Sequence, residues 1–197
     1  MSTTTAFLWV GNHPGLDFVN THPVIDGTAA ELLPDLDSLL TWCDEAGVLR
    51  EGTTTRLAGL DGRAAADVVS WSHDLRAALR APLEAPDPAS HGYTDLNRVL
   101  TGLTGSLIMT SQPGPHLDLL AEGPAEQLQL DLARATTAAL FELDPTRIRR
   151  CANPTCVLIF HDTSKGGQRR WCDMTLCGNR AKATAHYRRR QHHQLTS

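Results

Sequence analysis

Four of the five cysteines of this 197-residue chain lie close together in its last quarter, in two pairs with the same internal spacing. Cys151 and Cys156 form the first pair, and Cys172 and Cys177 form the second after fifteen intervening residues. Two matched pairs joined by a short loop can place four thiolates around a single ion. The alternative is four incidental buried thiols. The fifth cysteine, Cys43, lies on a predicted helix and is interpreted as a core residue.

This cysteine pattern predicts a tetrahedral Zn²⁺ site. The first ten residues lack the basic and apolar regions of a secretory signal, so we expect a cytoplasmic protein, where clustered cysteines bind metal rather than form disulfides. Four thiolates close the coordination sphere, which predicts one structural Zn²⁺ rather than a catalytic ion with an open position. His161 is a candidate substitute ligand, but an ordinary surface histidine is the simpler interpretation. Metal binding would contribute on the order of 10 kcal/mol to the folding of so small a module.

The residues between the two cysteine pairs have the pattern of a β-hairpin. Val157–Phe160 is a strand-like apolar run, Lys165–Gly167 has the composition of a turn, and Gln168–Trp171 is the predicted return strand. Such a hairpin would bring Cys172 back towards Cys156.

Charge is divided unevenly along the chain. Residues 147–197 contain eleven Lys and Arg residues against two acids, a balance of +9, whereas residues 1–146 have a balance of −13. This asymmetry suggests a basic module that faces a polyanion. The alternative is a solvated surface, or one that packs on the acidic part of the same chain.

A basic helix is predicted after the last cysteine pair, capped by Asp173 and running from Met174 to about Gln191 with no acidic residue. A zinc-anchored basic helix suits contacts with phosphates or with a major groove, so double-stranded DNA is the predicted partner. RNA is the weaker alternative, because few aromatic residues are present for base stacking. The candidate nucleic-acid-binding residues are Arg169, Arg170, Arg180, Lys182, Arg188, Arg189 and Arg190.

Residues 1–144 are predicted to form a mainly α-helical α+β domain with a few short strands, ended by Asp144-Pro145, and residues 147–197 to form a separate finger with a β-hairpin and a basic helix. Apolar residues at helical spacing predict helices over Asp35–Val48, Ala64–Leu79, Thr94–Leu103 and Pro124–Leu143. Strands are predicted at Phe7–Val10, Leu16–Thr21, Leu107–Thr110 and His116–Leu120, and a proline-rich loop at Ala81–Ser90.

Two parts of the chain resemble a known bacterial family. Trp171-Cys172, followed by Cys177-Gly178-Asn179-Arg180, resembles the CGNR zinc finger, and the upstream cysteines, Val157–Phe160 and Asp162 fit its pattern. Leu16–Thr21 and Trp42–Leu49 resemble the ABATE domain that usually precedes this finger. The resemblance implies a stress- or ligand-responsive transcription regulator whose finger binds DNA. It also implies that Cys151, Cys156, Cys172 and Cys177 are zinc ligands, and that Asn179 and Arg180 are structural or phosphate-contacting residues.

Asp17, Asn20 and Thr21 are polar residues in an apolar run, and they are candidates for a pocket that binds an unknown small-molecule effector. The alternative, to which we give more weight, is capping and hydrogen bonding to the neighbouring backbone. His13 and His22 flank this run and are interpreted as surface histidines.

No enzymatic activity is expected, because the chain lacks the short motifs of serine hydrolases, zinc proteases and nucleotide-binding enzymes. No apolar run approaches the roughly 20 residues that span a bilayer. The main hypothesis is therefore a zinc-dependent DNA-binding transcription regulator. The alternative is a small-molecule or protein-interaction module in which the finger is only structural or mediates a homodimer.

Overall fold

The computed structural model describes residues 6–50, 53, 57, 59–85, 91–110, 114 and 116–183. About half of the chain is helical, and the described residues contain three short antiparallel strand pairs, which confirms the predicted fold class. The helices are α1 (Pro14–Val19), α2 (Leu36–Glu45), α3 (Gly62–Glu84), α4 (His91–Leu100), α5 (Pro124–Thr137) and α6 (Ala139–Glu142). The strands are β1 (Val24–Ile25), β2 (Thr28–Ala29), β3 (Ser106–Thr110), β4 (His116–Leu120), β5 (Ile148–Arg150) and β6 (Ile159–His161).

Local side-chain bonds define where the longer helices begin. Asp35 and Ser38 form a capping box at α2, in which the Asp35 carboxylate accepts from the Ser38 N–H at 2.8 Å. Asp61 caps α3 by accepting from the Ala64 N–H at 2.8 Å. Pro124 occupies the first turn of α5, where its missing N–H leaves no helical bond unmade.

The strand predicted at Leu16–Thr21 is wrong, because these residues lie in and just after helix α1. His13 caps this helix by accepting from the Gly15 N–H at 3.0 Å, and Pro14 occupies its first position. Every residue from Gly15 to Val19 is buried, so neither a polar nor an apolar face marks the helical period. Phe7–Val10, the other predicted strand of this region, has no regular secondary structure.

Several boundaries differ from the sequence prediction. Helix α4 begins and ends three residues earlier than the predicted Thr94–Leu103, and α2 ends at Glu45 rather than Val48. Helix α3 continues through Pro82 to Glu84, so the predicted loop begins later than Ala81. Pro82 and Leu83 are both buried in this last turn, and their packing holds the helix where proline would otherwise end it. The long helix predicted from Pro124 is divided at Ala138 into α5 and α6, and it ends before Asp144-Pro145 as expected.

The predicted hairpin of residues 107–110 and 116–120 is confirmed as the β3–β4 pair. Arg50 attaches it to the helices. Its guanidinium donates to both carboxylate oxygens of Asp131 on α5 at 2.9 Å and to the carboxylate of Asp118 on β4. These contacts hold the pKa of Arg50 above its usual value, with the hydrogen bond to Asp131 as the main cause. One face of the hairpin is therefore held against the body of the protein.

The main hydrophobic core lies between α1, α2, α3 and α5, and its largest fully buried side chains include Phe18, Trp42, Leu75 and Leu128. Ile159 of β6, which belongs to the cysteine-rich segment, is completely buried in this same core. The predicted boundary near residue 144 therefore separates two segments that pack directly on one another. None of the helices in the described part of the chain combines the length and the hydropathy needed to cross a bilayer.

The cysteine-rich segment forms a β-hairpin with a different pair of strands from the one predicted. β6 pairs with β5, so that Arg149 lies opposite Phe160, and residues 168–171 form no strand. The second edge of β6 is occupied by the N-terminal part of the chain, where Gly11 accepts from the His161 N–H at 2.9 Å. Residues 168–171, called the return segment below, instead bond to the loop after β5, where the Ala152 N–H donates to the Arg170 carbonyl at 2.8 Å.

Candidate metal centre and the surface around it

The four clustered cysteines converge on one point. Their sulfur atoms all lie within 4.8 Å of one another. The Sγ atoms of Cys156 and Cys172 are 3.8 Å apart, and those of Cys172 and Cys177 are 3.6 Å apart. Four sulfurs placed tetrahedrally at the usual Zn–S distance would be about 3.8 Å apart. The geometry is therefore consistent with one four-coordinate zinc ion.

Short local structures present each sulfur to this point. Cys151 directly follows β5, and its N–H donates to the Leu158 carbonyl at 2.9 Å across the hairpin. Cys156 ends a turn that is closed by a bond from its N–H to the Asn153 carbonyl at 2.9 Å. Cys172 ends the return segment, and Cys177 lies in the π-helical turn Met174–Gly178.

Asp173 begins that turn as predicted. Its carboxylate accepts from the N–H groups of Thr175 at 2.7 Å and Leu176 at 2.9 Å. The hydrogen bond from the Thr175 hydroxyl is the main cause of the lowered pKa of Asp173, and the bond from the Leu176 N–H adds to it. The π-helical turn is followed by α-helical residues up to 183, and the rest of the predicted helix lies outside the described residues. The Asp173 cap thus fixes the turn that places Cys177 beside the other three cysteines, and the basic helix continues from this turn.

The crowded thiols have pKa values shifted in opposite directions. The hydrogen bond with Cys172 lowers the pKa of the Cys156 thiol to about 5, and the same bond raises the pKa of Cys172. Burial raises the pKa of Cys177. The protein alone therefore favours one thiolate here and opposes further negative charge. A divalent cation removes that opposition, because it binds all four sulfurs as thiolates.

Further donors surround the sulfurs and favour their thiolate form. The Cys172 N–H donates to the sulfur of Cys151 at 3.5 Å, and the side-chain amide of Asn153 donates to the sulfur of Cys177 at 3.5 Å. Such bonds around a metal orient its ligands. The sequence analysis does not identify Asn153 as part of the metal centre. Its position two residues after Cys151 is the sequence feature that could indicate this role.

Asp162 and Arg169 stabilise the finger from within. The fully buried Asp162 carboxylate accepts from Ser164 Oγ at 2.6 Å and from the Arg169 N–H at 2.8 Å, and its bonds with Ser164 are the main cause of its lowered pKa. The Arg169 guanidinium lies 4.3 Å from the centre of the Phe160 ring and donates to the carbonyls of Trp171, Val10 and Cys172. Its donors are thus directed to the protein itself.

The other basic residues divide into two groups. On the β5 side, Arg147, Arg149 and Arg150 each have a carboxylate oxygen within 4.0 Å, on Asp144, Asp162 and Glu84 respectively. On the side of the return segment and the helix, the exposed basic residues are Arg170, Arg180 and Lys182, and Asn179 is exposed beside them. Lys165, between the two cysteine pairs, is also exposed. Arg188, Arg189 and Arg190 lie outside the described residues.

The three residues predicted as candidate ligand contacts are all buried and hydrogen-bonded within the protein. Asp17 accepts from the Gly11 N–H at 2.7 Å, and burial raises its pKa to about 6. Thr21 donates to the Phe18 carbonyl at 2.7 Å and accepts from Arg76 at 2.9 Å. Asn20 bonds to the backbone of Ile159. The bonds of Asp17 to Gly11 and of Thr21 to Phe18 are of the local kind given more weight from the sequence, whereas those of Asn20 reach a distant strand. Effector binding at these residues remains a prediction.

The two histidines that flank α1 differ in exposure and in hydrogen bonding. His13 caps α1 and lies 3.2 Å from a carboxylate oxygen of Glu142. His22 is exposed, as expected for a surface residue. His161 lies at the end of β6, outside the four-sulfur cluster, so the cysteines need no substitute ligand.

Comparison with known proteins places the finger in a family. Residues 147–190, which include all four clustered cysteines, match the model of the CGNR zinc finger. No curated protein matches the chain. The resemblance of the N-terminal part to the ABATE domain remains a prediction. The chain thus carries a CGNR-type zinc-finger domain whose four-cysteine cluster is consistent with one structural Zn²⁺.

Proposed function

We propose that the protein is a zinc-dependent, DNA-binding transcription regulator in which the finger contacts double-stranded DNA and the N-terminal helical part receives a signal. It is proposed to act by binding, without catalytic activity of its own. The observation that carries the proposal is the distribution of charge on the finger. Its acidic side chains serve internal structure, whereas basic side chains remain on one of its surfaces.

The finger has only two acids, and both are engaged locally. Asp162 is completely buried beneath Ser164 and the Arg169 backbone. Asp173 is used as the cap of the turn that contains Cys177. Both carboxylates are used in hydrogen bonds within the finger, so neither neutralises the basic side chains on the side of the return segment and the helix. The net positive charge of the finger therefore remains available to a polyanion.

The proposed contact surface comprises the return segment and the helix after Cys177. Arg170 lies 5.2 Å from the ring of Trp171 and is exposed, and Lys182 is exposed one helical turn beyond Gly178. Within the described ranges, neither Arg170 nor Lys182 has a carboxylate at ion-pair distance. Arg180, Arg188, Arg189 and Arg190 extend the surface in sequence. Arg169 is left out of it, because its donors already bond to backbone carbonyls.

Contacts between the two parts support a route from signal to finger. Asn20, at the end of α1, bonds to β6 of the finger, and Asn12 donates to the His161 carbonyl at 2.9 Å. A shift of α1 caused by a ligand or a partner would therefore move β6, whose neighbour Leu158 accepts the hydrogen bond of the Cys151 N–H. The ABATE-like resemblance supports a stress- or ligand-responsive role, with the nature of the effector open.

Salt-dependent binding to duplex DNA is the test of the proposal. Zinc-loaded protein should bind a labelled random-sequence duplex in fluorescence anisotropy, with affinity falling linearly on a log–log plot against salt. Each lost phosphate contact decreases the magnitude of this negative slope by about 0.9. We therefore expect the slope to become less steep by about 2.7 in a triple variant with Arg188→Ala, Arg189→Ala and Arg190→Ala. No salt-dependent binding by the zinc-loaded protein would contradict the proposal.

A matched control has the same change of charge elsewhere. Arg63, Arg98 and Arg134 are exposed arginines of the helical part, and their combined replacement by Ala should leave the salt slope unchanged. An equal loss of slope in both triple variants would show that only overall charge matters, and would contradict a specific finger surface.

A second candidate function is that of an interaction module with a purely structural finger. It is favoured by the burial of Ile159 in the main core and by the bonds from Asn20, which make the finger part of the body. This candidate predicts that metal removal destabilises the whole chain, while the metal-loaded protein shows no affinity for duplex DNA or RNA at low salt. The same anisotropy series therefore separates the two candidates.

A further inference from the structure

The β3–β4 hairpin has one outer edge covered by side chains. On β4, the Leu119 carbonyl accepts from the Arg50 guanidinium at 3.2 Å, and just beyond the strand the Ala121 N–H donates to the Gln127 side chain at 2.9 Å. The Leu119 N–H donates to the side chain of Asp118 at 2.9 Å. The backbone of Leu119 is thus directed away from β3.

The opposite edge, on β3, has no hydrogen-bonded neighbour among the described residues. Leu107 is the register partner of Leu119, and in an antiparallel pair both partners direct their backbone groups inward or both direct them outward. Leu107 and, two residues on, Met109 therefore direct their N–H and C=O groups outward. In the described part of the chain, no hydrogen bond reaches these groups.

The same two residues expose their apolar side chains. Leu107 is 71% exposed and Met109 is 69% exposed, although both are large hydrophobic residues. Edge strands that remain single are usually protected by lysine, proline or a bulge, whereas Ser106–Thr110 contains no charged residue and no proline. This edge therefore has the properties of a strand that is paired in the working protein.

The surrounding sequence is free of charge over an unusual length. From Val99 to Leu117 there is no Asp, Glu, Lys or Arg, although such residues make up 20% of the chain. The carboxylate of Asp118, which follows, is paired with Arg50. Two identical edges can therefore approach one another without like-charge repulsion.

We propose that β3 pairs antiparallel with β3 of a second copy, about a two-fold axis at Ile108, to form a four-stranded sheet. In this register Leu107 of each copy lies opposite Met109 of the other, and these outward-directed residues can exchange both backbone bonds. The register also places apolar side chains beside apolar side chains on one face. The occupant is a second copy because the strand can complement its own outward hydrogen-bonding groups and has no charge that would repel an identical strand.

The expected strength follows from the small size of the contact. A stable interface usually buries roughly 800 Å² on each partner, more than a five-residue strand alone supplies. We therefore expect a reversible dimer, monomeric near about 1 μM and dimeric near about 100 μM in sedimentation velocity, since contacts below the standard size are weak. The experiment uses the full zinc-loaded chain without nucleic acid, so its result is independent of DNA binding.

Two substitutions on the edge test the surface. Leu107→Pro removes an outward N–H and no bond to β4, and Met109→Lys places a charge on the edge. Both should give monomers at about 100 μM with an unchanged circular dichroism spectrum. Phe141→Lys, at a site that is 85% exposed and outside the hairpin, should still dimerise. A monomeric parent protein, or edge variants that dimerise like the parent, would overturn the proposal.

A cysteine pair tests the register. Ile108→Cys places two sulfurs across the two-fold axis, where opposed Cα atoms lie about 4.5 Å apart and can form a disulfide. Ser106→Cys on the same strand face is the control, because its two copies would lie about 14 Å apart. Mild oxidation of zinc-loaded protein should cross-link Ile108→Cys and leave Ser106→Cys monomeric on a denaturing gel. Equal cross-linking of both variants, or cross-linking of neither, would contradict this register.

Discussion

The side-chain amide of Asn20 pairs with the backbone of Ile159 as a neighbouring strand would. Its Nδ2 donates to the Ile159 carbonyl at 2.8 Å, and its Oδ1 accepts from the Ile159 N–H at 3.0 Å. One buried side chain at the end of α1 therefore satisfies both backbone groups of a residue 139 positions later. This pair joins the metal-binding segment to the helical body.

Asn20→Ala should destabilise the protein by roughly 2 to 6 kcal/mol, because two buried backbone groups lose their partners at about 1–3 kcal/mol each. Urea unfolding of the zinc-loaded protein measures the change. Asn12→Gly is the control, since Asn12 makes one exposed bond to the same strand and its φ of 64° suits glycine, so the change should cost less than about 1 kcal/mol. Equal effects of the two variants would contradict the role given to Asn20.

Gly15→Ala should destabilise the protein by about 3 kcal/mol or more through overpacking. A Cβ atom on Gly15 would lie 2.2 Å from the Thr136 carbonyl oxygen and 2.8 Å from the Ala139 Cβ, so α1 could no longer approach α5 and α6. Gly62→Ala is the control, because nothing lies within 4 Å of its Cβ position and helix α3 begins there. Thermal unfolding should show a large decrease for Gly15→Ala and none for Gly62→Ala.

Asp17 should make folding stability depend on pH between about 4 and 6. Burial raises its pKa from 3.8 to about 6, so the folded protein binds a proton that the unfolded chain releases in this range. Stability from this group therefore increases as pH falls from 7 to 4, by about 2–3 kcal/mol at 1.36 kcal/mol per pKa unit. Denaturant unfolding should show that the stability of Asp17→Asn relative to the parent protein increases by about 2–3 kcal/mol from pH 4 to pH 7. A difference between the two proteins that stays constant over this range would contradict the assignment to Asp17.

Neighbouring arginines of the finger should have separable effects. Arg169→Ala removes bonds to three backbone carbonyls and the contact with Phe160, so the zinc-loaded protein should lose about 1–3 kcal/mol of stability. Arg170→Ala should leave thermal stability within about 0.5 kcal/mol and weaken DNA binding, because its side chain is exposed. The reverse pattern in unfolding and anisotropy measurements would contradict the assignment of these two roles.

Much of the architecture follows from local sequence signals. The Asp35 capping box, the apolar stripe of α3 and the β3–β4 hairpin, which has Pro113 and Pro115 between its strands in sequence, are each specified within a few neighbouring residues. The metal centre was predictable for the same reason, since the spacing of four cysteines identifies their chemistry even when their surroundings are unknown.

The parts that the sequence did not reveal depend on distant contacts. Helix α1 is buried on all sides, so its apolar residues show no helical period. The choice of β5 as the partner of β6 depends on Gly11 and Asn20, which occupy the other edge of β6 from more than 130 residues away in sequence. The contacts of Arg169 with backbone carbonyls and with Phe160 could not be predicted either. Nothing in the sequence of a basic segment distinguishes an arginine that bonds to the protein from one that faces solvent.

The metal content of purified protein tests the central claim most directly, with Cys172→Ser and Cys43→Ser as paired variants. Cys172 is a buried member of the four-sulfur cluster, whereas Cys43 lies in the main core, where burial raises its pKa to about 12. Elemental analysis should find one zinc per chain in the parent protein and in Cys43→Ser, and much less in Cys172→Ser. A folded parent protein without stoichiometric zinc, or full zinc content in Cys172→Ser, would contradict the account.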